Sequence, residues 1–305
     1  MDIVIMGSGG VGAFFGAKLA LAGHNVTFIA RGPHLAAMQK DGLTITSTDG
    51  DMRLETVNAT DDPSDLDTAD VILFTPKLYD TIAASEQIKH LVGPQTIIVT
   101  LQNGVSSPDM IAGVVGQDCV LGGSTYIVSH IEEPGKIAHM GPARIVFGEL
   151  NGTMSNRAQA FENVCKEAEI DIKLTDQIEL EMWRKFIPLT VMSGLTSVIR
   201  GPIGEVLDDP DLAQMMHDAI AEVVAVGNAR GVPIGDATEQ VMEGIKSAPR
   251  ETMSSMSLDL LRGKKMELPW LSAKVAEFGE EAGVATPTHH FMASVLRRFQ
   301  NGALE

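Results

Sequence analysis

The chain is short of basic residues. Lysine and arginine number 23 against 40 aspartates and glutamates, for a formal net charge of −17. A nucleic-acid interface needs a net basic face, so no nucleic-acid partner is expected, and an anionic membrane surface is disfavoured for the same reason. The deficit leaves a small anionic substrate open, because one local cationic pocket suffices for it. Cysteine is nearly missing. Cys119 and Cys165 stand far apart with no CxxC spacing, in apolar segments, and read as buried thiols in a reducing compartment. No apolar run reaches the roughly 18 residues that a membrane span needs, so no membrane partner is expected. The apolar opening, Ile3 to Ala22, is not expected to be a signal peptide: it follows Met1-Asp2 without a basic stretch, and glycines at 7, 9, 10, 12 and 16 interrupt it. A cytoplasmic location is the expectation. Internal repeats and low-complexity tails are also missing. His289-His290 are adjacent, so on a helix they point about 100° apart, and no HxxxH partner exists; no metal site is expected. Ser254-Ser255 lacks a nucleophile elbow, which argues against a hydrolase triad.

What is present suits two domains. A chain of 305 residues with 44% apolar and 21% charged residues can bury a core without staples. The first part alternates β-rich runs with helical patterns. Asp2–Met6 and Asn25–Ala30 read as strands, with a helix over Val11–Ala22 between them and Gly23 ending it. Further strands are expected at Leu43–Thr46, Arg53–Val57, Val71–Thr75, Thr96–Thr100, Thr125–Ser129, Lys136–His139 and Arg144–Phe147. Continuous apolar runs such as VILF and TIIVTL suit strands buried on both faces, and the alternation implies a doubly wound, mostly parallel sheet. Turns such as Glu133-Pro134-Gly135 suggest hairpins at one end of it. From Asp176 the pattern turns helical, with caps at Asp209-Pro210, Gly235-Asp236 and Thr286-Pro287, and one or two helices over Ser254–Gly283. The expected architecture is an α/β Rossmann domain over 1–175 and an all-α domain over 176–305.

The strand Asp2–Met6 runs straight into Gly7-Ser8-Gly9-Gly10-Val11-Gly12, and a helix follows. A lone GxGxxG is a weak signal, but here strand, turn, helix and second strand stand in the order that a dinucleotide site requires. Gly7 permits the tight turn, Gly9 lets the backbone approach a pyrophosphate, and Gly12 allows helix and strand to pack closely. The helix N-terminus then offers Gly10, Val11 and Gly12 N–H groups and a partial positive charge to the diphosphate. Strand two ends Ala30-Arg31, where an NAD enzyme usually carries a carboxylate for the ribose hydroxyls. A guanidinium there fits a 2′-phosphate and so NADPH/NADP, although a loop arginine can also simply face solvent.

Other motifs follow in order. They are Thr75-Pro76-Lys77-Leu78-Tyr79-Asp80, Leu101-Gln102-Asn103-Gly104-Val105, Met182-Trp183-Arg184-Lys185-Phe186, Ser254-Ser255-Met256 with Asp259, Gly263 and Glu267, and Gly283-Val284-Ala285-Thr286-Pro287. Together and in this order they resemble ketopantoate reductase, the 2-dehydropantoate 2-reductase family, over nearly the whole chain. The resemblance implies reduction of a 2-oxo acid by NADPH, physiologically 2-dehydropantoate to (R)-pantoate in pantothenate biosynthesis. It also implies an all-helical second domain and an active site in the cleft between the domains. By the same resemblance Lys185 matches the general acid. Lys77 and Asn103 match cofactor contacts, Asn103 also bordering the substrate. Ser255 matches a substrate contact, and Glu267 the acidic residue beside the lysine and the cofactor.

The chemistry agrees with that carry-over. Hydride delivery to a carbonyl carbon builds negative charge on its oxygen, and a cationic acid there stabilises and then protonates it. A lysine serves if burial or neighbours bring its pKa toward working pH. Trp183 and Phe186 beside Lys185 make partial burial plausible; a surface lysine paired with Glu181 is the alternative. The family's asparagines past the lysine are Leu189 and Ser193 here, and a further one is Ile203. On one helix 185, 189 and 193 share a face, so lysine, leucine and serine are expected to line the cleft, with Pro188 kinking the helix. Leu189 and Ile203 should make the pocket more apolar, while Ser193 and Ser255 hold the carboxylate. A reductase of a more apolar 2-oxo acid, or a regulatory protein that binds NADPH without turnover, are the rival readings. The last helices are apolar enough for a homodimer, although apolar faces also simply pack a domain.

Overall fold

The computed structural model describes residues 1–303, and among them the chain forms two compact units, Met1–Ile178 and Glu179–Glu305, of which the last two residues lie outside the description. The first unit is a ten-stranded sheet with helices against it. Its elements run β1 (Asp2–Met6), α1 (Gly10–Leu21), β2 (Asn25–Ile29), α2 (Gly32–Asp41), β3 (Leu43–Ser47), β4 (Met52–Leu54), β5 (Asn58–Thr60) and β6 (Ala69–Phe74). Then come α3 (Thr81–Ile88), β7 (Val92–Thr100), α4 (Ser107–Val115), β8 (Val120–Glu133), β9 (Lys136–Glu149), α5 (Asn156–Glu167) and β10 (Asp171–Leu174). The strand order is β4-β3-β9-β8-β7-β6-β1-β2-β5, with β10 beside β9. All pairings are parallel except β3 with β4 and β8 with β9. This is a mostly parallel, doubly wound sheet.

The unbroken apolar runs have a clear cause. Side chains alternate across a strand, so a strand covered on both faces needs apolar residues at every position. In β1, Ile3 and Ile5 enter one core with α1 and α5, while Val4 and Met6 enter the opposite core with α3 and α4. In β6, Val71 and Leu73 divide from Ile72 and Phe74 in the same way. Both cysteines are buried free thiols in these cores. The later strands differ from the sequence reading. Gly141-Pro142 looks like a strand break, yet β9 runs through it. Val128 pairs with Met140 and Tyr126 with Arg144, so β9 absorbs the extra residues as a bulge. Of the segment Arg53–Val57, expected as one strand, only Arg53 and Leu54 are strand, at the end of β4; β5 begins beyond it at Asn58, and the four-residue β10 was not among the expected strands.

The second unit is helical: α6 (Ile178–Ile199), α7 (Ile203–Asp208), α8 (Pro210–Ala229), α9 (Thr238–Lys246), α10 (Ser255–Leu261), α11 (Ser272–Ala282) and α12 (Pro287–Leu296). Its ends follow capping chemistry. Asp209 accepts from Asp211 and Leu212 N–H groups with Pro210 at the first helical position, and Gly283 ends α11 in the left-handed region. Glu222 on α8 accepts the Thr288 and His289 N–H groups, capping α12 from another helix. His289 is fully buried, its Nε2 3.1 Å from the Ala219 carbonyl, and burial pushes its pKa down to about 4. It is a core residue, whereas His290 is exposed. Among the described residues no helix is long and apolar enough to cross a membrane.

Candidate active site

The C-terminal ends of four neighbouring strands, β7, β6, β1 and β2, carry the motifs of the first unit. Chain order reverses between β1 and β6, and a crevice at such a reversal is where open α/β sheets bind ligands. The turn after β1 is fixed from both sides. Ser8 donates its N–H (2.9 Å) and its hydroxyl (3.0 Å) to the Ile29 carbonyl at the end of β2. From β6, the Thr75 hydroxyl donates to the Gly7 carbonyl at 2.6 Å. Gln102, buried, donates from Nε2 to the Pro76 carbonyl and to Thr81 Oγ1, both at 2.9 Å, tying the loop after β7 to the loop after β6.

The glycines in this turn do different work. Gly7 has φ +89°, and a Cβ there would stand 2.7 Å from Pro76 N. A Cβ on Gly12 would meet Thr75 Oγ1 at 2.5 Å and the Gly7 carbonyl at 2.6 Å, so α1 sits tightly on the strand ends. A Cβ on Gly9 would meet nothing within 4 Å. The backbone at Gly9 is open to a ligand, and the Gly10, Val11 and Gly12 N–H groups begin α1 without acceptors inside the helix. These features fit a dinucleotide diphosphate. Gly10 has a reason outside the motif: β8 passes so closely that its Cβ would be 2.5 Å from the Ser129 carbonyl.

Arg31 caps α2 beyond the end of β2, mostly exposed, with Nη2 2.8 Å from the Asp80 carboxylate. Lys77 precedes a 3₁₀ turn, Leu78–Asp80, and is partly buried, as is Asn103 in the loop after β7. Sequence reading assigned no role to Asp80, Thr75 or Gln102. The last two are threonine and glutamine at strand ends whose hydrogen bonds only become visible once the strands are adjacent.

In the second unit, Lys185 lies on α6, partly buried, while its chain neighbours Trp183 and Phe186 are buried with their rings edge to face at 5.6 Å. Burial lowers its pKa to about 8, and the nearby Glu267 carboxylate, itself 5% exposed, pulls the other way by favouring the charged form. Glu181 pairs with Arg184 at 3.1 Å. Leu189 is partly exposed like the lysine, and Ser255 is exposed at the first position of α10, after Ser254 has capped that helix by accepting from Ser257 N–H.

The expected single lining face does not extend the length of α6. Ser193 has no exposed surface and its hydroxyl has no hydrogen-bond partner. Ile203 is also fully enclosed, its N–H bonded to the Thr252 carbonyl at the start of α7. The next residue after Ser193, Gly194, also sits in a tight place, where a Cβ would meet Met292 and Ser272. The apolar character expected of the pocket therefore rests on Leu189 and not on Ile203. Pro188 sits inside a helix that continues to Ile199.

A Rossmann unit followed by a helical unit, the one with an open glycine turn and the other with a lysine of lowered pKa near a carboxylate, defines a class: oxidoreductases that use a nicotinamide cofactor. Comparison with known proteins narrows it. The family described as ketopantoate reductase PanE/ApbA matches residues 3–152, and its C-terminal counterpart matches 177–300. A 2-dehydropantoate 2-reductase of Archaeoglobus fulgidus is 28% identical over 98% of both chains. The crystal structure of a ketopantoate reductase from Ralstonia eutropha superposes with a TM-score of 0.91 at 27% identity, covering 98% of both chains. A D-mandelate dehydrogenase solved with NADH and anilino(oxo)acetate has a TM-score of 0.89 at 21% identity over 98% of both chains, a likeness of fold. The chain belongs to the ketopantoate reductase PanE/ApbA family and is an oxidoreductase of the 2-dehydropantoate 2-reductase type.

Proposed function

We infer that this protein reduces 2-dehydropantoate to (R)-pantoate with NADPH, the reduction that serves pantothenate biosynthesis. The observation that carries the reading is Lys185. An ordinary lysine is too weak an acid to share its proton near neutrality, and burial that brings it to about 8 matches it to the task. NADPH, when bound, supplies the hydride. Lys185 Nζ holds its proton at the substrate carbonyl oxygen, stabilises the negative charge that develops there and then protonates it. Glu267 keeps the ammonium charged and oriented. Gly7, Ser8, Gly9, Gly10, Val11 and Gly12 shape and line the diphosphate turn, with Lys77 and Asn103 as further cofactor contacts and Arg31 at the 2′-phosphate. Asn103, Leu189, Ser193 and Ser255 serve the substrate; a part for Ser193 requires α6 to loosen at its enclosed hydroxyl.

The test is steady-state oxidation of NADPH with ketopantoate and a panel of 2-oxo acids. Turnover with ketopantoate is expected, and cofactor binding without turnover of any 2-oxo acid would favour a regulatory protein instead. A second reading, preference for a 2-oxo acid with an apolar tail, is favoured by Leu189, which presents a hydrocarbon side chain on the lysine's face of α6.

A further inference from the structure

Arg31 and Asp80 form an ion pair at a place where charge decides which coenzyme is accepted. Arg31 follows β2 and Asp80 closes the loop that follows β6. In the sheet β1 lies between those two strands, so the pair spans the C-terminal end of β1, beside the glycine turn. The guanidinium is 74% exposed and the carboxylate 34%, with 2.8 Å between Nη2 and Oδ2. Asp80 precedes α3 yet makes no side-chain cap to it, so helix capping does not account for its carboxylate.

We propose that Asp80 is a specificity-determining residue that opposes Arg31 and narrows the protein's preference for NADPH over NADH. This rests on the reading that a nicotinamide dinucleotide binds the turn with its adenosine ribose at Arg31. A 2′-phosphate brought to Arg31 must share the guanidinium with a carboxylate already bonded to it, and two anions around one cation repel each other. A free ribose hydroxyl meets no such opposition. It can donate to the Asp80 carboxylate, the chemistry by which dinucleotide sites with an acidic residue take NAD. The pair thus offers a cation to one coenzyme and an acceptor to the other. Because both side chains reach solvent, each effect is moderate and screened by salt.

The experiment measures Kd for NADPH and NADH by coenzyme fluorescence in wild type, Asp80→Asn, Asp80→Ser and Arg31→Gln. Both Asp80 variants should raise the preference for NADPH about tenfold, about 1.4 kcal/mol, through tighter NADPH and weaker NADH binding. The gain should shrink at high salt. Arg31→Gln should lower the preference. If the Asp80 variants stay within about twofold of wild type while Arg31→Gln shifts the ratio, Asp80 plays no such part and the cofactor reading stands. If none of the three changes the ratio, or neither coenzyme binds, the placement of the ribose falls and this proposal with it.

Discussion

The two units offer their candidate site residues in opposite ways. In the first, the ligand-facing surface at the glycine turn is mainly backbone. Gly9 is open, the helix N–H groups lead from it, and the Thr75 and Ser8 side chains hold the turn in place. In the second, the surface is side chain: Lys185 on α6, its charge set by burial and by Glu267. A backbone site constrains residue size, because a Cβ in the wrong place collides. A side-chain site constrains chemistry instead, because one replaced group removes a function while the helix stays intact. Substitutions in the two units should therefore fail in different ways.

The largest effect is expected at the lysine. Lys185→Ala should cut kcat by about 10² or more, the loss typical of a general acid, with coenzyme Kd nearly unchanged. The pH profile sharpens the point. The protonated form is the acid, and burial places its pKa at about 8, so kcat/KM should hold below that value and fall as pH rises through it. An unperturbed lysine would put the fall near 10.5. The variant should lose the alkaline limb. Near-normal turnover with an unaltered profile would remove Lys185 from the chemistry.

Next come two glycines three residues apart on the same turn, Gly9 and Gly12. Gly12→Ala forces a Cβ onto Thr75 Oγ1 and the Gly7 carbonyl, so it should lose roughly 1–3 kcal/mol of stability through overpacking. Gly9→Ala meets no protein atom within 4 Å, so its melting temperature should match wild type while its coenzyme affinity falls. Thermal denaturation with and without coenzyme separates the two. Equal destabilisation by both would mean that the turn is a packing feature only. At the edge of the same site, Arg31→Asp should weaken NADPH binding by about 2 kcal/mol, since charge-assisted bonds are replaced by repulsion. A titration showing unchanged NADPH affinity would release Arg31 from that role.

This contrast also explains what was legible in the sequence. The glycine turn could be read residue by residue, because Gly7 and Gly12 answer steric demands that strand, turn and helix impose locally. The alternation of β1 and β6 between two cores was legible for the same reason. Lys185 read from pattern alone was equally a surface lysine beside Glu181, and the carboxylate that acts on its charge, Glu267, stands far along the chain. The resemblance to the family, and not periodicity, singled it out. Asp80 was invisible because its partner Arg31 reaches it only once β1 has been placed between β2 and β6. Helical periodicity placed Ser193 on the lysine's face, but periodicity cannot tell which positions of that face the fold encloses, as it does Ser193.

The smallest expected effect concerns Leu189. A site built to hydrogen-bond a substrate hydroxyl rejects analogues that lack it, because its own polar groups are left unpaired. Leu189 offers no such group to the 4-hydroxyl of ketopantoate, and a partly exposed leucine gains by burial against hydrocarbon, about 0.8 kcal/mol per carbon. Ile203 is enclosed and cannot add to this, so the whole effect is assigned to one side chain. We therefore expect 2-oxoisovalerate to be reduced with a kcat/KM within about tenfold of ketopantoate, a gap of about 1.4 kcal/mol or less. Leu189→Asn should shift the ratio toward ketopantoate, while Ile203→Asn should only destabilise the helical unit, because it buries an amide in a closed core. The measurement is the ratio of kcat/KM for the two acids in wild type and both variants. A wild-type preference for ketopantoate of about a thousandfold, on the order of 4 kcal/mol, would show that another polar group reads the hydroxyl, and Leu189 would lose its place in the pocket while Lys185 kept its own.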